Sequence, residues 1–497
     1  MVSGHEQGSQ PFSGRLSTFD LTNLVVGSII GADVYVATAL SAKLVGPASL
    51  IIWVVAGLIA LVIAMSFAYC VMALPKVGGP YAYVRDVSTP FVGFLIGWAL
   101  LLAEGFSLAV FPVAFAQYFS ALVPGIDALG QTALKVVFIV IVVGTNIIGT
   151  KAAGRTNDVL TLIKLSPLAL IIAGGLLYMV TNPAAVSSNL SPFLTGGVPE
   201  LGQALVLIFW AYAGFELSTL PTNDVDRPES SIPKAIMGGM LIVIAFYLLT
   251  NLVVVASLDQ GALDASTSPL IDATRSIFSF AGGAAGALAL FVGVGALLSI
   301  MGADESGTLG TSRLAYALSL DGLLPRPLSR KHRRFGTPYL AIIALGGAAL
   351  IASVLGGLTA LINSSVFLLA LVYLATCISA VFLMRKHPEH TGRLKGRRVI
   401  PLAGAALAGL LLFLVQVEVA LIGLALLAAG VPVYMLFSPR KELTELREVF
   451  LSRSERAAWA HRQSLRFLAY PVHQLRVFLR DRHRVEARRG RTGKKDR

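Results

Sequence analysis

The sequence predicts an all-helical integral membrane protein with twelve transmembrane helices. Of its 497 residues, 55% are hydrophobic and 13% are charged, whereas a soluble domain has about 25% charged residues. Hydrophobic runs of about 20 residues, enough to cross a bilayer, recur along the chain. The first and sixth runs are each interrupted by glycine and by a carboxylate, which indicates a site rather than uniform lipid contact.

The twelve hydrophobic runs set the expected organisation of the chain. They lie at roughly 20–42, 48–74, 91–121, 131–150, 157–180, 200–223, 234–257, 282–310, 338–356, 359–385, 400–417 and 419–438. We therefore expect a cytoplasmic N-terminal segment over 1–19, a core of ten spans over 20–390, two further spans over 391–438 and a basic cytoplasmic tail over 439–497.

Several function classes lack their motifs. The polar N-terminus has no signal peptide pattern. The two cysteines, Cys70 and Cys377, fall in apolar runs, which argues against a disulfide framework or a cysteine metal site. Neither GxxxxGK[ST] nor HExxH occurs, so ATP hydrolysis and zinc protease chemistry have no motif. The sequence predicts no enzyme activity, no metal and no cofactor.

Basic residues lie mainly in alternate loops, which orients the spans. The opposite loops carry little beyond Lys43 and Arg275. We expect both termini to be cytoplasmic and the protein to span the cell membrane several times. The basic loops carry Lys76, Arg85, Lys151, Arg155, Arg227, Lys234, Arg313, Arg326, Arg330, Lys331, Arg333, Arg334, Arg385, Lys386, Arg393, Lys395, Arg397 and Arg398.

Most of the net charge of +13 lies in the C-terminal tail. Residues 439–497 contain 17 Lys and Arg against 7 Asp and Glu, a net charge of +10. A basic tail that follows a membrane span favours the anionic inner leaflet as partner over nucleic acid. Residues 462–489 suit a basic interfacial helix interrupted at Pro471, and a disordered tail is the alternative from about Arg482 onward.

Spans one and six have related interruptions. Span one contains GSIIGADVYV (27–36), and span six contains FWAYAGFELSTL (209–220). Glycine-interrupted spans in corresponding positions of two inverted halves indicate the site of a secondary transporter. An unwound helix frees backbone groups that are tolerated only beside a cavity or ligand. The alternative is that these glycines only permit close helix packing.

Several loop motifs, in order and spacing, resemble the amino acid–polyamine–organocation permeases over roughly residues 20–390. The motifs are PKVGGPYAYVRD (75–86), TNIIGTKAAGRTNDVLTLIKL (145–165), FWAYAGFELSTLPTNDVDRPESSIPKAI (209–236) and SRLAYALSLDGLLPRPLSRKHRRFGTP (312–338). The resemblance implies a LeuT-type fold, with two inverted five-span repeats and two peripheral spans. It also implies alternating access, with substrate held near mid-membrane between spans one, three, six and eight.

The resemblance also assigns roles to individual residues. Residues 30–35 occupy the family's IGSGIF position, where backbone N–H groups of Ile30, Gly31 and Ala32 would bind a substrate carboxylate. Carbonyls of the unwound spans, including those of Ala211 and Gly214, would bind its amino group. Three further residues match family positions. Trp210 matches an aromatic residue that can cover the substrate like a lid, and Glu216 matches the glutamate after the break. Lys164 matches a lysine that is found in many proton-coupled members.

Asp33 departs from the family motif because it replaces the second glycine. Its carboxylate would repel a substrate carboxylate by several kcal/mol in a poorly solvated site. Three interpretations are open. Asp33 pairs with a cationic substrate, or it is a protonated carrier because burial favours the neutral form. In the third, it points away and caps the second half-helix.

Three further acids lie within spans: Glu104 in span three, and Asp304 and Glu305 in span eight. With one obvious lysine against five carboxylates, the spans favour a cation, either substrate or proton. Alternatively, Glu104 is a packed protonated acid, and Asp304 and Glu305 form a half-exposed pair near the vestibule. An inorganic cation such as K⁺ is a further possibility, although no TVGYG-like filter motif occurs.

Lys164 is the candidate for proton coupling on the residues alone. Desolvation makes a buried lysine able to release and take up a proton. Its ammonium is in a position to bridge carbonyls of the broken span one. Snorkelling is the alternative, but Lys164 lies about 13–20 Å inside the end of span five, which is deep for it.

We therefore expect a proton-coupled permease, symporter or antiporter, that carries a cationic amino acid, amine or polyamine. A neutral amino acid permease is the alternative within the same class. Two further hypotheses stay open: a nutrient sensor that binds substrate without moving it, and an inorganic cation transporter of the same fold. The site residues that carry the transport hypothesis are Ile30, Gly31, Ala32, Asp33, Glu104, Lys164, Trp210, Ala211, Gly214 and Glu216, with Asp304 and Glu305 as candidate vestibule acids.

Overall fold

The computed structural model describes residues 17–74, 78–149, 154–216, 225, 228–388 and 398–439. Within these residues the chain forms helices and turns, with no β-strand. The chain divides into two compact units, Met1–Phe437 and Ser438–Arg497. Of the second unit, only Ser438 and Pro439 are among the described residues. The predicted interfacial helix in the tail lies outside them.

Seventeen α-helices cover most of the described residues. In chain order they are α1 (Thr18–Ile29), α2 (Ala32–Val45), α3 (Ser49–Ala73), α4 (Pro80–Val87), α5 (Pro90–Leu122), α6 (Ala128–Ile148), α7 (Gly154–Thr181), α8 (Pro183–Asn189), α9 (Val198–Trp210), α10 (Pro228–Ser257), α11 (Gln260–Ala265), α12 (Pro269–Ile277), α13 (Gly283–Leu320), α14 (Tyr339–Leu355), α15 (Leu358–Lys386), α16 (Val399–Leu414) and α17 (Val417–Phe437).

Eleven of the twelve predicted runs overlap one helix or a pair of helices, whereas the run at 200–223 is helical only as far as Trp210 and continues as turns over 211–216. Eight helical segments of the described chain are long and apolar enough to cross a membrane: Ala32–Ala73, Pro90–Leu122, Ala128–Ile148, Lys164–Thr181, Ser230–Ser257, Gly283–Leu320, Leu358–Lys386 and Val417–Phe437. Three shorter apolar helices are α9, α14 and α16. The described part of the chain is thus all-helical and the protein is multi-pass, while the number of twelve crossings stays a prediction.

The short helix α4, which follows α3 in the chain, forms ion pairs at the ends of α13 and α15. It follows Gly78 and Gly79, whose φ angles of 122° and 51° lie in the region that favours glycine. Arg85 of α4 forms an ion pair with Asp321 at 2.7 Å, just after α13. Lys386, the last residue of α15, pairs with Asp86 at 2.6 Å.

The first apolar run is broken at Ile30 and Gly31. Ile30 has extended backbone angles (φ −75°, ψ 106°), which end α1, and α2 begins at Ala32. A Cβ on Gly31 would collide with the side chain of Ala303 and lie 3.0 Å from Phe111 Cε1. Gly31 therefore serves both predicted purposes, since it lies at the break and permits α13 to approach closely.

The sixth apolar run is broken after Trp210, where α9 ends and residues 211–216 form turns. Gly214 has a φ of +114°, which a residue with a side chain rarely adopts. A Cβ at Gly214 would also lie 2.8 Å from the carbonyl oxygen of Ser28. The break of this run thus lies directly against the end of α1.

Aromatic residues of α3 and α10 and of the turn after α9 pack beside both helix breaks and donate hydrogen bonds there. The rings of Trp53, Tyr212 and Tyr247 pack on one another with centroids 5.4–5.7 Å apart. The Tyr247 hydroxyl donates to the carbonyl oxygen of Ile29 at 3.0 Å. The Tyr212 hydroxyl donates to that of Trp53 at 3.0 Å. The last turn of α1 is therefore held by α10, and the turn after α9 by α3.

Candidate functional site

A small cavity lies where the two broken runs meet α5, α13 and α15. Its volume is about 30 Å³, which is room for about two water molecules. The lining residues are Ser28, Asp33, Glu104, Ser107, Leu108, Phe111, Trp210, Ala213, Gly214, Glu216, Ala303, Gly307 and Leu369. The cavity is lined by residues of helices that lie far apart in the sequence.

The structure brings five of the predicted site residues to this cavity: Asp33, Glu104, Trp210, Gly214 and Glu216. Four others, Ile30, Gly31, Ala32 and Ala211, do not line it. Ile30, Ala32 and Ala211 are buried in the surrounding packing. The roles given to all of these residues stay predictions.

Asp33 lies in the first turn of α2, with 5% of its surface exposed. Its side chain folds back over Gly31, because a Cβ on that glycine would lie 3.1 Å from Asp33 Oδ2. The backbone N–H groups of Gly31 and Asp33 interact with the carboxylate. A negative charge is favourable there because the N–H groups and the helix dipole both face it. The side chain lies at the start of α2 and lines the cavity, so it does not point away from the site as the third interpretation expects.

Lys164 reaches the broken end of α1 from α7. Its Nζ donates a hydrogen bond to the carbonyl oxygen of Gly27 at 2.8 Å, and 5% of the residue is exposed. Gly302 of α13 makes room for it, since a Cβ there would lie 2.9 Å from Lys164 Cε. The carboxylates whose charges act on the ammonium are those of Asp33 and Glu305.

Glu104 and Glu216 are neighbours across the cavity, and their carboxyl groups interact with each other. Glu216 Oε2 accepts the backbone N–H of Gly214 at 3.0 Å. Glu104 is 6% exposed, and its Oε1 has no hydrogen-bond partner among the residues that the structure describes. Two neighbouring carboxyl groups with little water around them favour one shared proton or a bound cation.

Trp210 closes one wall of the cavity. Its Nε1–H donates to the hydroxyl oxygen of Ser107 at 3.0 Å, and its ring lies 6.3 Å from that of Phe111. The indole is fully buried. The interpretation of Trp210 as a lid is compatible with this position, since the side chain connects the end of α9 to α5.

Asp304 and Glu305 do not line the cavity. Asp304 is 1% exposed, and its Oδ1 lacks a hydrogen-bond partner within the described residues. Glu305 is half-buried near Thr145 and Lys164, and its backbone carbonyl accepts from Asn146 Nδ2 at 3.3 Å. The alternative of a half-exposed pair is therefore wrong for Asp304, because the packing of other helices around α13 buries it.

Sequence reasoning missed several lining residues, among them Ser107, Phe111 and Leu369. α5, α13 and α15 are apolar nearly all round, so their sequences do not indicate which face meets the cavity. Only the helical spacing of α5 residues from Glu104 could have indicated some of these lining residues. Ser107, Leu108 and Phe111 follow it by three, four and seven residues, which places them on the same helix face.

The chain is similar to known proteins over most of its length. A family model described as "Amino acid permease" matches residues 16–437. The methylthioribose transporter of Bacillus subtilis (strain 168) is 27% identical over 88% of this chain and 95% of its own length. The serine/threonine exchanger SteT of the same organism is 29% identical over 85% and 96%. The human cystine/glutamate transporter is 28% identical over 84% and 83%.

These matches cover nearly all of the helical unit. They confirm the predicted resemblance to the amino acid–polyamine–organocation superfamily, whose members are transporters rather than enzymes. The chain belongs to the amino acid permease family.

Proposed function

We propose that the chain is a proton-coupled secondary active transporter that moves a small cationic, amine-containing solute across the cell membrane. The observation that carries this proposal is the convergence of Asp33, Glu104 and Glu216 on one cavity between two broken helices. Carboxyl groups in such a place require a cation or protons, because an isolated charge in a poorly solvated site is costly.

The proposed architecture is a LeuT-type fold with twelve spans in two inverted five-span repeats and two peripheral spans. In this arrangement α1 and α2 form span one, while α9 and the turn after it belong to span six. Both termini are cytoplasmic, and the basic tail lies on the anionic inner leaflet. Alternating access then opens the cavity to one side of the membrane at a time.

Lys164 is proposed to couple transport to protons, together with Glu216 and Asp33. Its ammonium hydrogen-bonds the Gly27 carbonyl at the end of α1, so loss of its proton weakens a contact between α7 and the broken span. A side chain that both titrates and holds a mobile helix can link a proton to a conformational change.

A neutral amino acid is the second candidate substrate. The branched-chain amino acid permease BcaP of Bacillus subtilis (strain 168) is 26% identical over 87% of this chain, and SteT is a serine/threonine exchanger by name. If this chain had the substrate preference that those two names state, it would transport amino acids whose side chains are uncharged. The three carboxyl groups on the cavity favour the cation over this alternative.

The test is uptake into proteoliposomes that contain the purified full chain, with an inward proton gradient imposed. Labelled arginine, lysine, putrescine, leucine and serine are compared with and without a protonophore. The proposal expects accumulation of a cationic solute that the protonophore abolishes. Accumulation of leucine or serine alone supports the second candidate. Absence of uptake for every solute, with binding retained, indicates a sensor and contradicts the proposal.

A further inference from the structure

A carboxylate already lies at the start of α2, on the side of the cavity. The helix begins at Ala32, and its first turn contains Asp33, whose carboxylate folds back over Gly31. The N–H groups of Gly31 and Asp33 interact with that carboxylate. A substrate carboxylate at this helix N-terminus would therefore lie beside the like charge of Asp33.

The backbone acceptors at the end of α1 are occupied. Lys164 Nζ donates to the carbonyl oxygen of Gly27 at 2.8 Å. The Tyr247 hydroxyl donates to that of Ile29 at 3.0 Å. Two carbonyls that a broken helix offers to an ammonium group therefore already accept hydrogen bonds from the protein.

The side chains that remain for a ligand are almost all acceptors. Glu104 is more than nine-tenths buried, lines the cavity, and has no partner for its Oε1 within the described residues. Glu216 and Asp33 add two further carboxyl groups. Trp210 donates to Ser107, and the one hydroxyl proton of Ser28 lies between the carbonyl oxygens of Val25 and Gly214. These two lining donors are engaged, which leaves the Ser107 hydroxyl as a lining donor.

A ligand with an ammonium group fits this lining, and a ligand with a carboxylate does not. We infer that the substrate is an organic amine without a carboxylate, and that Asp33 excludes α-amino acids by occupying the position that a substrate carboxylate would take. This inference rests on the proposed transport function and narrows its substrate class. Asp33 thus acts as a specificity-determining residue, and the carboxyl groups of Glu104 and Glu216 hold the ammonium group.

The experiment compares amines with amino acids that differ from them only by the carboxylate. The pairs are agmatine and arginine, cadaverine and lysine, and isoamylamine and leucine. Each is measured by binding and by uptake with the full chain in proteoliposomes. We expect wild type to prefer the amine of each pair by more than about tenfold, since like charges placed together cost several kcal/mol.

Two variants of Asp33 test whether its carboxylate causes the preference for amines. Asp33→Gly empties the helix N-terminus and is expected to reverse the preference toward the amino acid. Asp33→Asn keeps a side chain that can cap α2 but removes the charge, so we expect the preference to fall by about tenfold or more. The matched control is Asp127→Asn, because Asp127 caps α6 through the N–H of Gly130 on the exposed surface. The control should keep the wild-type ratio.

The outcomes separate this inference from the proposed function. Proton-driven uptake in which wild type prefers arginine to agmatine overturns the inference and leaves the transport function standing. An unchanged ratio in both Asp33 variants, with the proteins folded by size-exclusion chromatography, also overturns it. If neither member of any pair binds or enters the vesicles, the proposed function fails, and the inference fails with it.

Discussion

The ammonium nitrogen of Lys164 lies 2.8 Å from the carbonyl oxygen of Gly27. The lysine side chain of α7 thus forms a hydrogen bond with the last turn of α1, next to the helix break. The contact joins residues 137 positions apart in the sequence. It is buried, and it lies close to the Asp33 carboxylate. A change in the charge of either group therefore acts directly on the connection between α1 and α7.

Lys164→Gln is expected to remove proton-driven accumulation while leaving substrate binding largely intact. The amide can still donate to the Gly27 carbonyl, but it cannot carry a proton. We expect accumulation under a pH gradient to fall by about tenfold or more, and exchange without a gradient to persist. The matched control is Lys135→Gln, since Lys135 also donates to a carbonyl of another helix, that of Ser353, at 2.7 Å. Equal loss in both variants would contradict the coupling role.

Gly214→Ala is expected to disrupt the site. An alanine at a φ of +114° is strained by about 1–2 kcal/mol, and its Cβ would press on the Ser28 carbonyl from 2.8 Å. We expect a lower melting temperature and loss of ligand binding. Gly286→Ala in α13 is the control, because no atom lies within 4 Å of a Cβ there. Helix propensity predicts that this control is neutral or stabilised by up to about 1 kcal/mol.

Glu104→Gln is expected to weaken the binding of a cationic ligand by about tenfold or more. The substitution keeps the size of the side chain and removes the charge of a buried group whose Oε1 lacks a partner in the described chain. Glu200→Gln is the control, since Glu200 accepts the Gly197 N–H at the start of α9, outside the cavity. Affinity is read from competition binding at several pH values. If Glu104→Gln binds the cation as tightly as wild type, the cation does not meet Glu104.

Trp210 and Ser107 are expected to act as one unit. Loss of their hydrogen bond should lower ligand affinity by about fivefold, which corresponds to about 1 kcal/mol. Ser107→Ala, Trp210→Phe and the double variant form a cycle. We expect the double variant to lose little more than Ser107→Ala alone, because both substitutions remove the same contact. Strictly additive losses would show that the two residues act independently.

Part of this site could be predicted from the sequence, because its polar residues interrupt apolar runs. Gly31 and Asp33 in span one, and Gly214 and Glu216 in span six, mark the two breaks without any structural knowledge. Glu104 was detectable for the same reason, since one acid in an apolar helix is costly. The structure brings Asp33, Glu104, Gly214 and Glu216 to one cavity.

The rest of the site could not be predicted because it depends on tertiary packing. Phe111 and Leu369 look like any other apolar residue of their helices, and which face they occupy depends on the neighbouring helices. The contact of Tyr247 with Ile29 depends on how α10 packs on α1. The same holds for Asp304, because burial follows from helix packing that the local sequence does not encode.

The short helices could not be predicted from the sequence either. Helices α4, α8, α11 and α12 have between six and nine residues, and the hydrophobic runs did not predict them. Three of the four have proline in their first turn, a start signal that is weak without a following apolar stripe. Such elements are stabilised mainly by the long helices around them.

The central claim is that the ligand occupies the cavity between Asp33, Glu104 and Trp210, and a cysteine at Ser107 tests it most directly. The native cysteines, Cys70 and Cys377, are buried, so Ser107→Cys adds one cavity thiol whose reaction with a methanethiosulfonate reagent can be followed by mass. A saturating transported amine is expected to slow this reaction by about tenfold or more. An unchanged labelling rate at a ligand concentration that saturates uptake would contradict it.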